Sequence, residues 1–212
     1  MNVTVKSGWR KALVLITFLG MLAVNGLANI LPLNGITTGQ VSDGLPNLFT
    51  PMSYTFSIWG AIYLMLLVYV VFQIMKARPD GDARREKALN RTAILFALSS
   101  LLNSAWIFAW HYGHLTWSVA LIVSMLICLM LINEQFRKPP YTTREELALR
   151  IPFGLYYGWI TVATVANITG WLVSRNWDGF GLAPEVWTAI MVVVATLIAC
   201  ATTLHLHNVA YG

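Results

Sequence analysis

Pro51-Met-Ser-Tyr-Thr-Phe-Ser-Ile-Trp-Gly-Ala-Ile-Tyr63 opens an apolar run that continues to Met75. About 20 such residues make a bilayer-spanning helix. At helical spacing Phe56, Trp59 and Tyr63 share one face, because they step by three and four. Pro51 suits the position just before the helix or in its first turn, where its missing N–H costs nothing. Tyr54 stands at the same mouth. Tyr and Trp join an apolar ring to a polar tip, which fits either an interfacial belt or a ring-lined pocket. Residue type alone leaves both readings open.

Composition extends this to the whole chain. Of 212 residues 57% are apolar and 11% charged, and the mean hydropathy is +0.63. Soluble domains carry about a quarter charged residues. The fold class that follows is all-α: a polytopic membrane helical bundle. Six apolar runs approach spanning length, at 11–33, 53–75, 92–112, 115–134, 151–173 and 186–206. Lys6, Arg10 and Lys11 precede the first; six basic residues lie between the second and third, and four between the fourth and fifth. Thirteen of the 14 Lys and Arg thus fall on one side of a six-helix weave, and Arg175 falls on the other. The positive-inside rule makes the basic side cytoplasmic, with the N-terminus there. The net charge of +5 sits in these connections and does not argue for nucleic acid. The bilayer is the partner that composition implies.

The basic start and Gly26-Leu27-Ala28 imitate a signal peptide, but the run continues to Leu33, so an uncleaved anchor is expected. The apolar ending at His205–Gly212 reads as a chain trimmed before a further helix. Cys128 and Cys200 lie in apolar runs and are read as small hydrophobes without a disulfide. Lys76–Arg91 is read as a polar loop. Asn34–Thr50, rich in turn-forming residues, is read as a lid over the Pro51–Tyr63 end. His111 and His114 are read as interfacial rather than metal-ligating.

Two further runs carry inward-facing polar and aromatic groups. Asn103, Trp106 and Trp110 share a face, and an amide in hydrocarbon must find a partner. Tyr156, Trp159, Ala163, Asn167 and Trp171 form a stripe whose small neighbours permit close approach. Asn25 and Asn29, one turn apart, are expected to bond to neighbouring helices. The chain holds no Walker loop, GxSxG, HExxH or paired intramembrane carboxylates.

Three segments resemble the TspO/translocator-protein family, the tryptophan-rich sensory proteins. They are Pro51–Tyr63 with Trp59-x-x-x-Tyr63, Leu102-Asn103-Ser-Ala-Trp106 with Phe108, and Tyr157-Gly-Trp159 with Asn167 and Trp171. The likeness spans roughly residues 11–173. This sequence departs from the family at the end of the first helix, at Thr50-Pro51, at Pro152 and in its sixth run. The division so implied is a five-helix core at 1–173 and an additional C-terminal helix at 174–212.

The resemblance implies an often dimeric bundle with an aromatic pocket for tetrapyrroles such as protoporphyrin or haem, or for sterol-like molecules. Trp59 and Trp159 would flank the ligand plane, Asn103 and Trp106 would line the wall, Tyr63 would support Trp59, and Ala163 would set access. The ligand-binding set is therefore Tyr54, Phe56, Trp59, Tyr63, Asn103, Trp106, Trp110, Tyr156, Trp159, Ala163 and Asn167. No cofactor is required beyond a porphyrin or haem ligand. The expected function is a sensor or carrier in a bacterial cytoplasmic membrane. The alternatives are a secondary transporter of a small apolar metabolite and a light-dependent porphyrin-degrading enzyme.

Overall fold

The computed structural model describes residues 5–45, 47–75, 83–137 and 142–212. Lys76, Arg78 and Lys138 lie outside them. Among the described residues six long helices dominate: α1 (Val5–Ile30), α3 (Ile58–Met75), α4 (Ala83–His111), α5 (Leu115–Gln135), α7 (Ile151–Ser174) and α8 (Pro184–Leu206). Two short ones join them, α2 (Thr38–Asp43) and α6 (Thr143–Glu145). The chain is an integral multi-pass membrane bundle.

The weave is antiparallel. At the basic end Lys11 Nζ donates to Ile74 O at 2.8 Å, and Asn133 Nδ2 to Phe153 O at 3.1 Å. At the other end, the lid end, Trp171 Nε1 and Arg175 Nη2 donate to Thr116 Oγ1. Five long helices are apolar enough to cross a bilayer by length and composition. The exception is α7, diluted by tyrosines, tryptophans and Asn167. It can carry them because it is the inner helix: eleven of its residues are buried.

Helical stripes build the core: Val14, Phe18 and Met21 from α1, Ile62, Leu66 and Tyr69 from α3, Ile122, Met125 and Leu129 from α5, and Phe153, Tyr156 and Ile160 from α7. Nearer the basic end, Tyr69 meets Phe153 and Phe96 edge to face at centroid distances of 4.8 and 5.0 Å. Outward-facing Ile16, Leu19, Leu64, Leu67 and Val193 leave an apolar exterior that suits lipid.

Several boundaries differ from the sequence reading. Helix α1 stops at Ile30, before Pro32 and the left-handed Asn34. Residues Arg84–Arg91, read as loop, are helical, because Ala, Arg, Glu, Lys and Leu are strong helix formers even outside the bilayer. The fifth apolar run is preceded by α6 and a π-turn, Glu146–Arg150. Pro152 has no N–H for the ladder, and the Ile151 N–H reaches Glu146 O. The lid segment contains α2, closed by a reciprocal cap in which Thr37 Oγ1 accepts the Gln40 N–H and Gln40 Oε1 accepts the Thr37 N–H.

Helix α8 stands apart, and Leu206 is its one buried residue. The bundle holds it at the basic end. Arg150 Nη2 donates to Leu206 O at 3.2 Å and to His207 O at 2.5 Å, and Tyr211 Oη donates to Thr161 Oγ1 at 2.9 Å. The chain after α8 lies so close to Gly158 that a Cβ there would overlap the Tyr211 carbonyl.

Candidate functional site

Helices α3, α4 and α7 bring their aromatic stripes together at the lid end. Trp59 sits at the centre. Its ring stacks on Tyr63 at 5.5 Å and 22°, meets Tyr156 at 5.9 Å and Trp106 at 6.4 Å, and faces Trp159 at 6.1 Å and 84°. Phe56 meets Trp159 at 6.1 Å. Trp106 stacks on Trp110 at 5.8 Å. Phe56 belongs to a 3-10 turn, Ser53–Ser57, that feeds α3. The i to i+3 step still aligns it with Trp59, since side chains three apart eclipse in that turn.

These rings border a small cavity. Ser42, Pro51, Phe56, Trp59, Trp106, Trp110, Trp159, Val162, Ala163, Ala166 and Asn167 line it, and about 30 Å³ of it admits a water-sized particle. The two indoles thus look inward from separate spans, but they touch each other and enclose no open void. Pockets for drug-sized ligands measure about 300–1,000 Å³.

Polar accounting separates the members. Trp106 Nε1 donates to Asn167 Oδ1 at 3.2 Å, and Asn167 Nδ2 donates to Ser118 Oγ at 2.9 Å. Trp110 Nε1 donates to Thr38 O at 3.2 Å. By contrast the Nε1–H groups of Trp59 and Trp159 and the hydroxyl of Tyr63 are buried without a partner. Trp59 is 8% exposed and Trp159 7%. Buried donors are normally satisfied, so two orphans on facing rings mark a place where an acceptor belongs.

The lid is fastened to this end. His111 Nδ1 donates to Leu33 O at 3.1 Å; that carbonyl can only accept, so Nδ1 carries the proton. His111 Nε2 lies 3.0 Å from Thr38 Oγ1, and Asn34 Nδ2 donates to His111 O at 3.1 Å. Leu45 packs so near Gly170 that a Cβ there would lie 3.1 Å from its Cδ1.

A family model described as TSPO-like protein matches residues 11–212. The chain belongs to the TSPO-like family. No curated protein and no solved structure matches it. The TSPO-like match runs through α8, beyond the residue 173 limit of the sequence resemblance. It therefore takes in the helix read as an addition.

Within this TSPO-like chain, the structure gathers Phe56, Trp59, Trp106, Trp110, Trp159, Ala163 and Asn167 at the cavity wall. Tyr63 and Tyr156 back Trp59 without lining the cavity. Two expected members are elsewhere. Tyr54 points outward, 73% exposed, because the 3-10 turn carries it away from the Phe56 side. Asn103 does not line the cavity; its Oδ1 accepts from Asn25 Nδ2 at 2.6 Å and its Nδ2 donates to Tyr156 Oη at 3.3 Å. Asn25 does reach a neighbouring helix, whereas Asn29 bonds to Asn25 O on its own. Sequence reasoning missed Ser42, Val162, Ser118 and the Thr38–His111 fastening, whereas Ala166 was among the small residues expected to let a flat ligand or another helix approach. The Thr37-x-x-Gln40 pattern signals the helix that carries Thr38 and Ser42.

Proposed function

We propose that the chain is an integral membrane sensor or carrier for a flat conjugated molecule of the tetrapyrrole class, held in the aromatic pocket. The observation that carries this reading is the pair of unpartnered indole N–H groups on Trp59 and Trp159. A porphyrin offers ring faces to both indoles and acceptors on its side chains, matching a wall that is aromatic with few polar groups. A cavity of about 30 Å³ cannot take that ligand with the rings in contact. Binding therefore requires Trp59 and Trp159 to part, and the lid that carries Ser42 to lift.

Titration of the purified protein with protoporphyrin, followed by the porphyrin's own absorption band, tests this. Saturable binding that Ala163→Phe abolishes is the expected result. A titration indistinguishable from the detergent blank overturns it.

One observation favours a second reading, light-dependent degradation of the bound pigment. Trp159, Trp59, Trp106 and Trp110 form a continuous series of indoles 5.8–6.4 Å apart, which suits electron donation to an excited ligand. An illuminated complex should then yield a new absorbing product, and an unchanged spectrum rejects the idea.

A further inference from the structure

The aromatic pocket is smaller than a second cleft among the described residues. A cleft of about 550 Å³ lies at the lid end, between residues 47–49, the end of α7 and the start of α8. Leu48, Phe49, Leu172, Val173, Trp177 and Trp187 give it apolar walls. Its threonine hydroxyls and its asparagine amide are already engaged. Thr169 and Thr188 donate to the carbonyls of Val165 and Pro184, and Asn47 bonds to the backbone of Leu45 and Phe49. An occupant would be held by area and shape, in a volume within the range of small-molecule sites.

Asp178 is the one charged residue in this lining, and no Lys, Arg or His accompanies it. One carboxylate oxygen accepts the Phe180 N–H at 3.1 Å. Arg175, the nearest basic residue in sequence, donates to Thr116 on α5. Trp177 and Trp187 line the same cleft as Asp178, their ring centroids are 4.8 Å apart, and Phe180 packs against both. Indole rings next to a carboxylate favour an organic cation, because ring faces attract positive charge. The connection that carries them is held in an unusual shape, with Asn176 at φ 55° and Phe180 at φ 57°. Such non-glycine conformations persist where the surroundings impose them, and they concentrate at functional sites.

We propose that this cleft is a second binding site for an amphiphile with a cationic head: its aliphatic chain lies along the Leu172–Val173 wall and its head rests at Asp178 against Trp177 and Trp187. Helix α8 supplies one wall, so the site exists only in the six-helix form of the bundle. It does not depend on what the aromatic pocket binds. A bilayer lipid with a quaternary ammonium head and a free alkylammonium compound share this chemistry.

The test uses the full chain in neutral maltoside micelles and quenching of tryptophan emission by chain-brominated probes. Bromoalkyl trimethylammonium should quench saturably, and the bromoalkyl sulfate of equal length should not. The quenched component should vanish when Trp177→Phe and Trp187→Phe are combined. Val173→Phe should weaken the saturable quenching by placing a ring where the chain lies along that wall. Asp178→Asn, whose amide oxygen still accepts the Phe180 N–H, should weaken the ammonium probe about threefold, as befits an exposed charge pair. Chain-brominated phosphatidylcholine in the same micelles names the source: quenching assigns the site to a lipid, and none assigns it to a free amphiphile. Equal quenching by the ammonium and sulfate probes, or quenching that neither Val173→Phe nor Asp178→Asn changes, overturns the proposal.

Discussion

Trp59 and Trp159 meet edge to face, 6.1 Å between centroids and 84° between planes, and neither indole N–H has an acceptor. Ring contacts of this kind are worth about 0.5–1.5 kcal/mol each. A buried donor left unpaired costs about 1–3 kcal/mol. Two unpaired donors cost at least as much as one ring contact gains, so this contact does little to hold the pocket closed and a ligand acceptor can offset its loss.

Trp159→Phe should therefore separate stability from binding. The variant keeps a ring and removes one orphan donor, so its melting temperature should match or slightly exceed that of the parent. Its protoporphyrin affinity should fall about tenfold, the value of one hydrogen bond to a charged acceptor. Thermal unfolding and an absorption titration on the same sample check both halves.

The Asn25–Asn103 pair is expected to behave as a unit. Asn25→Leu leaves the Asn103 carbonyl without its short bond in the bundle interior and should cost about 1–2 kcal/mol. Asn25→Leu with Asn103→Leu should cost less than the sum of the single changes, because no amide is then stranded. Additive losses in detergent unfolding would show that the two amides act independently.

Gly158 should tolerate no side chain. Gly158→Leu would collide with the Tyr211 backbone and release the segment after α8. Protease treatment should then trim that segment faster than in the parent. Gly60→Leu is the control, since nothing lies within 4 Å of the Cβ position there. Equal trimming of both variants would contradict the close approach.

Acid should weaken the basic end. Burial alone would raise the Glu145 carboxyl, but hydrogen bonds from Arg85 and Thr142, together with the Arg85 charge, outweigh it and hold Glu145 below the usual carboxylate range. A group depressed in the folded state contributes stability above its unfolded pKa and loses it as pH falls through the folded value. The melting temperature should therefore drop between neutral and acid pH by more in the parent than in Glu145→Gln. Identical drops would remove Glu145 from the account.

The architecture was legible because hydrocarbon imposes a length and an inward stripe that a sequence must spell out. Spacing put Trp106 on one shared face and Trp159 with Asn167 on another, whereas the place of Trp59 in a pocket rather than an interfacial belt came from the family resemblance. Tyr54 could not be placed by spacing, because spacing assumes an α-helix and Ser53–Ser57 turns more tightly. Asn103 was rightly turned inward, but its partner, an amide on α1 rather than a ligand, depends on how two helices dock. The loop reading of Arg84–Arg91 failed because polarity marks water and does not exclude a helix. The volume between the indoles was the least legible feature. It depends on ring rotations that leave no trace in sequence.

The central claim is that a ligand acceptor enters between these two indoles. Its most direct test is fluorine NMR of protein labelled with 5-fluorotryptophan, with the resonances assigned through Trp59→Phe and Trp159→Phe, during titration with protoporphyrin. The account predicts that both resonances shift together and saturate at the concentration that saturates the porphyrin absorption change. Resonances that stay fixed while the porphyrin spectrum changes would place the ligand elsewhere and contradict it.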